Sequence, residues 1–272
     1  MSHLLAIETS GKSLGVALCS EEGIVFEENV LAGSIHGKAL GPLMKKALQS
    51  VGLKPAALSA VAISQGPGSW TGLRIGISAV KALAWGSGIG LIGVPSFAAL
   101  ATDAARHLSG ESGGDILVNS GADISVCQAM SATPNSIVSH AFFLVVTLRD
   151  ARSEGFFAAI FGVTSQGVER WMDDSVFSSD ETILSVEKLS SAHPGQTVFI
   201  CGDQKCLQAM AAPAHQRGWT LMHDCEHISA RAVAECGWSR LKKNEAIKTA
   251  TDIHRFSPLY LRASDPELKL GR

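Results

Sequence analysis

Three apolar segments, His3–Thr9, Ser13–Ser20 and Ile24–Val30, follow one another with almost nothing between them: Gly11 and Lys12 make the first turn, and Glu22-Gly23 the second. Turns this short cannot carry a crossover, so the three strands must be antiparallel neighbours in one sheet. The middle one alternates Leu14, Val16 and Leu18 on one face, as a half-buried strand should. The period then changes. Leu40, Leu43, Met44, Ala47, Leu48 and Val51 recur at helical spacing. Gly41-Pro42 means that this helix either begins there or is kinked there, and Gly52 is its C-terminal stop. Strand Ala60–Ser64, a glycine-rich helix over Thr71–Trp85 and strand Ile89–Val94 complete a β-β-β-α-β-α-β order.

From Asp103 to Phe143 the periodicity dissolves into Ser, Gly, Asn and Ala, which predicts an insertion or mobile linker over 103–143. Order resumes at Leu144–Leu148 and Phe156–Val163. Val198–Cys201, Leu221–His223 and a helix over Ser229–Lys242 then suggest a second α/β half. The expected organisation is an N-terminal half, 1–102, the insertion, and a C-terminal half, 144–272. With 272 residues, 46% of them hydrophobic, each half has enough apolar material for a core. The net charge of −2 advertises no affinity for nucleic acid, so contact with RNA needs a partner or a local patch. The uncharged run 82–102 is interrupted by Gly86, Gly88, Gly90, Gly93 and Pro95 and reads as helix end, buried strand and helix start rather than a membrane span. The N-terminus carries no basic-then-apolar export signal, and none of the six cysteines forms a C-x-x-C pair. Reduced thiols in a cytoplasm are the expectation.

The glycine-rich helix is the segment with the most to say about function. "GPGSWTG" satisfies neither the Walker A spacing nor G-x-G-x-x-G, because Thr71 stands where the third glycine belongs. Gly68, Gly72 and Gly76 are four apart and Ala79 continues the row, so one face of the helix is smooth and small. Glycine inside a helix costs roughly 1 kcal/mol against alanine, and close backbone approach is the usual compensation. The spacing leaves open whether the approaching element belongs to the same chain or to another subunit.

"LLAIETSGKSLGVAL", "GPGSWTGLRIGISAVKALAW", "GVPSFAALA", "LRDARSEGFFAAIF", "VFICGD" and "PLYLR" occur in the order seen in the TsaB (YeaZ) family, which the chain resembles. The resemblance covers Leu4–Ala101 well and Leu144–Arg262 more loosely. It implies an α/β actin-like ATPase (ASKHA) fold of two ribonuclease-H-like halves, β-β-β-α-β-α in the first. It implies a glycoprotease-like (Gcp-like) domain that acts beside TsaD, the transferase that places threonylcarbamoyl on tRNA adenosine. The catalytic relative binds metal through two histidines four apart; here His36 is followed at that spacing by Leu40. The resemblance therefore implies a non-catalytic subunit, with no catalytic residue and no metal site of its own. Its helices would dock TsaD through His36, Leu40, Leu43, Ala47, Gly68, Thr71, Gly72, Arg74, Ile75, Gly76 and Ala79, with Arg74 and Lys81 at the rim. The turn Glu8-Thr9-Ser10-Gly11 lies where such folds approach nucleotide, although Glu8 stands in place of the family's usual Asp. Asp150-Ala151-Arg152 matches the family's D-A-R turn. No cofactor is expected on the chain alone. ATP or ADP and a metal would come with TsaD, tRNA would be contacted only within the complex, and the TsaE ATPase and a homodimer through the same helices are the other partners. The competing reading is an ASKHA ATPase or a TsaD-like metal-dependent enzyme in its own right. Independently of the family, His223, Cys225 and His227 with Cys201 and Cys206 form a metal-type set at no standard spacing, for which buried thiols beside surface histidines are the simpler account.

Overall fold

The computed structural model describes residues 2–31, 36–110, 143–151, 155–164 and 167–261. The N-terminal meander is β1 (His3–Glu8), β2 (Ser13–Ser20) and β3 (Gly23–Leu31). Then follow α1 (His36–Ser50), β4 (Ala60–Gly66), α2 (Trp70–Ser87), β5 (Gly90–Pro95) and α3 (Ser96–Leu108). The sheet order is β3-β2-β1-β4-β5, antiparallel within the meander and parallel from β1 through β4 to β5. The same plan recurs in β6 (Phe143–Asp150), β7 (Phe156–Thr164), β8 (Gly167–Phe177), α4 (Ser179–Ala192), β9 (Thr197–Gly202), α5 (Gln204–Arg217), β10 (Thr220–Met222) and α6 (Ala230–Lys242). That second sheet is ordered β10-β9-β6-β7-β8. Two ribonuclease-H-like halves with one strand order make up the α/β actin-like ATPase (ASKHA) fold that the resemblance implied.

Local chemistry explains the boundaries. Gly52 closes α1 in the left-handed region at φ 67°, with Leu53 N bonded to Leu48 O, and Pro42 lies inside the helix on its exposed side. Ser69 caps α2 by accepting from Gly72 N at 3.2 Å, and Ser178 forms a capping box with Glu181 at the start of α4. The run 82–102 is indeed helix end, strand and helix start. Among the described residues no helix is long and apolar enough to cross a membrane.

The domain limits expected from the sequence are displaced. Asp103–Leu108 is helix rather than linker, with Ala104, Ala105 and Arg106 buried, so a limit at 102 cuts through α3. Residues 111–142 of the expected insertion lie outside the described residues. The C-terminal half is also not a self-contained unit. One core spans Leu4, Ala6 and Val94 of the first sheet, Phe97 and Leu100 of α3, Val145 and Phe161 of the second sheet, and Val233 and Trp238 of α6. Beyond α6, α7 (Ala250–Arg255) and the strap Phe256–Tyr260 return to α2 of the first half. Arg106 is fully buried between α3 and α6, with Nη1 on Asp103 at 2.9 Å and Nη2 on Glu235 at 2.6 Å, while Asp103 also accepts from Ser229 N and Oγ at the head of α6. Burial pushes the Glu235 carboxyl up, and the neighbouring Arg106 holds it back.

Candidate functional site

The glycine row of α2 lies against the protein's own β1–β2 turn. A methyl group on Gly72 would overlap the Thr9 carbonyl oxygen, one on Gly68 the Ser10 carbonyl, and one on Gly76 the Thr9 hydroxyl. Ile63 Cδ1 would stand 2.9 Å from that last methyl. Ser69 N donates to Ser10 O at 2.7 Å and ties the helix entrance to the same turn. The row is therefore the seat of α2 on β1, not a surface between subunits. Gly72 and Gly76, together with Leu40, Leu43 and Ala47 of α1, are buried within the single chain, and Gly68 is half-buried against Ser10. Of the residues expected to meet a partner, Thr71 and Arg74 are exposed and Ile75 and Ala79 half-buried. His36 opens α1, and its side chain lies outside the described residues.

The two cations assigned to the rim of that surface already serve the chain itself. Lys81 Nζ donates to the carbonyls of His254 (2.5 Å) and Phe256 (2.9 Å). The Arg74 guanidinium lies 4.3 Å from the Trp70 ring centroid and donates to Tyr260 Oη at 3.1 Å, and Tyr260 stacks on Trp70 at 4.0 Å. Leu259 N donates to Gln65 O at 2.8 Å. The strap thus covers the flank of α2 away from α1.

Between the halves lies a cleft lined by Ser10, Gly11 and Lys12 of the first turn, the start of α2, and Arg149, Asp150, Asp203 and Lys205 of the second half. Glu8, Thr9 and Ser10 are fully buried. Glu8 does not line the cleft. Its Oε1 accepts from Ser10 N (2.5 Å) and Ser10 Oγ (2.6 Å), so the carboxylate is turned back onto its own turn. Burial pushes its pKa up, against the Ser10 and Ser64 hydroxyls and the Arg149 charge, which lower it. Arg149, 7% exposed at the end of β6, donates through Nη1 to Ser10 O at 3.1 Å; its Nε and Nη2 have no hydrogen-bond partner among the described residues. The guanidinium packs over Gly11, where a Cβ would stand in ordinary contact with Nη2 at 3.6 Å. Lys12–Glu226 (2.9 Å) and Lys205–Asp150 (2.8 Å) line the mouth, and Asp203 Oδ2 receives Asp150 N at 2.9 Å. Arg152 of the D-A-R turn lies outside the described residues.

These residues do not fit a catalytic metal. The position four after His36 is Leu40, 3% exposed in the core beneath α1. Among the described residues no three His, Cys, Asp or Glu side chains gather to hold an ion. Cys201, Cys206 and Cys225 are buried, and burial pushes the Cys206 and Cys225 thiols up to about 12. Arg149, Trp70 and Tyr260 were missed by sequence reasoning. Arg149 directly precedes the D-A-R match, yet nothing local says that it reaches Ser10 across the cleft.

The model of the TsaD family, described as tRNA N6-adenosine threonylcarbamoyltransferase, matches residues 23–269. The tRNA threonylcarbamoyladenosine biosynthesis protein TsaB of Bacillus subtilis is 36% identical over 107 residues, 39% of this chain and 46% of that protein. The protein of the same name from Escherichia coli is 34% identical over 104 residues, 38% and 45% of the two chains. The chain thus spans under half the length of these curated relatives. Among solved structures, YeaZ from Pseudomonas aeruginosa superposes with a TM-score of 0.68 at 19% identity, covering 96% of this chain and all of that one, which shows a shared fold.

Proposed function

Because the chain belongs to the TsaD family, and within it to the TsaB (YeaZ) group, we propose that it serves threonylcarbamoyladenosine modification of tRNA as the non-catalytic partner of a TsaD transferase. One observation carries the non-catalytic part. At the two positions where the fold would place chemistry, Leu40 is buried in the core and Glu8 is folded back onto Ser10. A buried leucine cannot ligate, and the Glu8 carboxyl holds its own turn through Oε1 while its Oε2, without a hydrogen-bond partner among the described residues, is buried away from the cleft. Metal and ATP or ADP then reside with the transferase, tRNA is held by the assembled complex in the cytoplasm, and a TsaE ATPase completes the set. A second copy competes for the same helices.

This chain's contribution is a rigid platform. The β1–β2 turn seats α2, the strap fixes α2's far flank, and Arg149 joins the two halves through Ser10 O. The test is depletion in the host, with threonylcarbamoyladenosine in tRNA read by mass spectrometry, and co-purification of the tagged full chain with TsaD. Unchanged modification on depletion refutes the role. Steady ATP turnover by the isolated chain that disappears in Glu8→Gln refutes its non-catalytic character.

A further inference from the structure

Arg149 lines the cleft between the halves as a buried cation that, among the described residues, has no ion-pair partner. Its side chain spends one donor on Ser10 O, and Nε and Nη2 are left without an acceptor. A guanidinium in this state has lost its water without gaining a counter-charge, which is costly unless an anion makes up the difference. The carboxylates around it are otherwise engaged. Glu8 is held by Ser10, and burial favours its neutral form. Asp150 carries Lys205, Glu226 carries Lys12, and Asp203 Oδ2 receives Asp150 N. Two helix heads face the same space from opposite halves. At α2, Gly72 N is taken by Ser69 Oγ and Leu73 N by Ser69 O, so the amides of Trp70 and Thr71 have no acceptor within the helix. At α5, Cys206 N and Leu207 N both reach Asp203 O, which leaves the amides of Gln204 and Lys205 in the same position. Thr71, Gln204 and Lys205 all line the cleft.

The geometry points to a binding site for a small oxyanion of the phosphate class, held between Arg149 and the heads of α2 and α5, with Lys12 and Lys205 at the mouth. Helix N-termini carry partial positive charge and free N–H groups, and a guanidinium pairs with phosphate oxygens in a fixed fork, so the three elements favour the same ligand. Arg149 supplies the full charge that a helix head alone lacks. Its Nε and Nη2 are closed to solvent against Gly11, which brings no side chain, so the anion reaches them by a small shift of the β1–β2 turn. The site takes the anion without a nucleoside. The cleft has a volume of about 890 Å³, but among the described residues its lining includes no phenylalanine, tyrosine or tryptophan, and Ile75 is its one large aliphatic side chain. A base would find nothing broad and apolar to lie on. Because its donors come from both halves, the bound anion ties them together where the empty site has only the Arg149–Ser10 bond. This inference is independent of the partner reading above.

The test uses the full chain with inorganic phosphate and, separately, ADP as probes. Thermal melts in phosphate and in chloride at equal ionic strength separate binding from screening, and phosphate is expected to raise the melting temperature by about 2–4 °C. Calorimetric titration then gives the affinities. Arg149→Gln is expected to weaken phosphate binding roughly tenfold to hundredfold. Lys205→Ala, which leaves Asp150 uncovered at the mouth, is expected to weaken it about threefold. Should Arg149→Gln not fold, Lys205→Ala and hydrogen exchange on the wild type decide: phosphate is expected to slow exchange at the amides of Thr71, Gln204 and Lys205 and to alter it at Gly11 and Lys12. A melting temperature equal in phosphate and chloride, phosphate affinity unchanged in the variants that fold, or protection confined to other parts of the chain overturns the site. ADP binding more than about tenfold tighter than phosphate assigns the cleft to a nucleotide and overturns the small oxyanion. Co-purification with TsaD reads the partner role separately, so failure of the anion site leaves that role standing.

Discussion

An alanine at Gly72 would place one methyl group into the carbonyl oxygen of Thr9. Two opposing terms decide the outcome. Alanine is favoured over glycine in a helix interior by roughly 1 kcal/mol. Overpacking costs typically 1–3 kcal/mol, and more where neither side can yield. Here neither can: Thr9 is fully buried, its amide is bonded to Ser64 Oγ at 3.3 Å, and α2 is tied to the same turn through Ser69 N and Ser10 O. The overlap is with backbone rather than the tip of a flexible side chain, so the upper part of that range applies. The net loss is about 2 kcal/mol, which lowers the melting temperature by roughly 4–8 °C in a domain of this size. Gly86→Ala is the internal control. It lies on the same helix, and a methyl group there would meet nothing within 4 Å, so only the propensity term acts and the variant should be more stable by up to about 1 kcal/mol. The assay is thermal and urea unfolding of both variants, beside co-purification with TsaD. If Gly72→Ala melts at or above the wild type while association is lost, the glycine row belongs to an interface between chains and the packing described above is wrong.

Glu8→Gln should gain stability at neutral pH, because burial raises the Glu8 pKa and the ionised carboxylate is the disfavoured form in the folded state. A carboxyl with a raised folded pKa stabilises below its ordinary value of 4.5 and loses that contribution as pH rises, so the advantage of Gln should shrink on acidification; urea midpoints against pH decide it, and an advantage that grows toward low pH contradicts the assignment. Glu235→Ala leaves Arg106 buried with half of its pairing removed and should cost about 3–5 kcal/mol in equilibrium unfolding. Tyr260→Ala removes the Trp70 stack and the Arg74 bond, costs about 1 kcal/mol, and should speed hydrogen exchange at the Leu259 amide far more than in the sheets.

Periodicity made much of the architecture legible. Leu14, Val16 and Leu18 declared a strand, the stripe from Leu40 to Val51 declared a helix, and the short turns dictated an antiparallel meander, because these signals depend only on neighbours along the chain. The loss of pattern after Thr102 was read too early by one and a half turns, since alanines and Arg106 conceal a helix whose apolar partners come from the other half. The glycine row was visible as a demand for close approach, but which element approaches is a long-range fact: Thr9 and Ser10 lie more than fifty positions from Gly68–Gly76 and meet them only once β1 and β4 pair. The cations followed the same rule. Arg74 and Lys81 were legible as charges near a helix face, yet their partners, Tyr260 and the carbonyls of His254 and Phe256, come from a strap at the far end of the chain. The sequence by itself determined the elements and the family, since both rest on local pattern and motif order. Only the tertiary structure decided which small and charged residues stay exposed, because burial and pairing are set by what the rest of the chain brings against them.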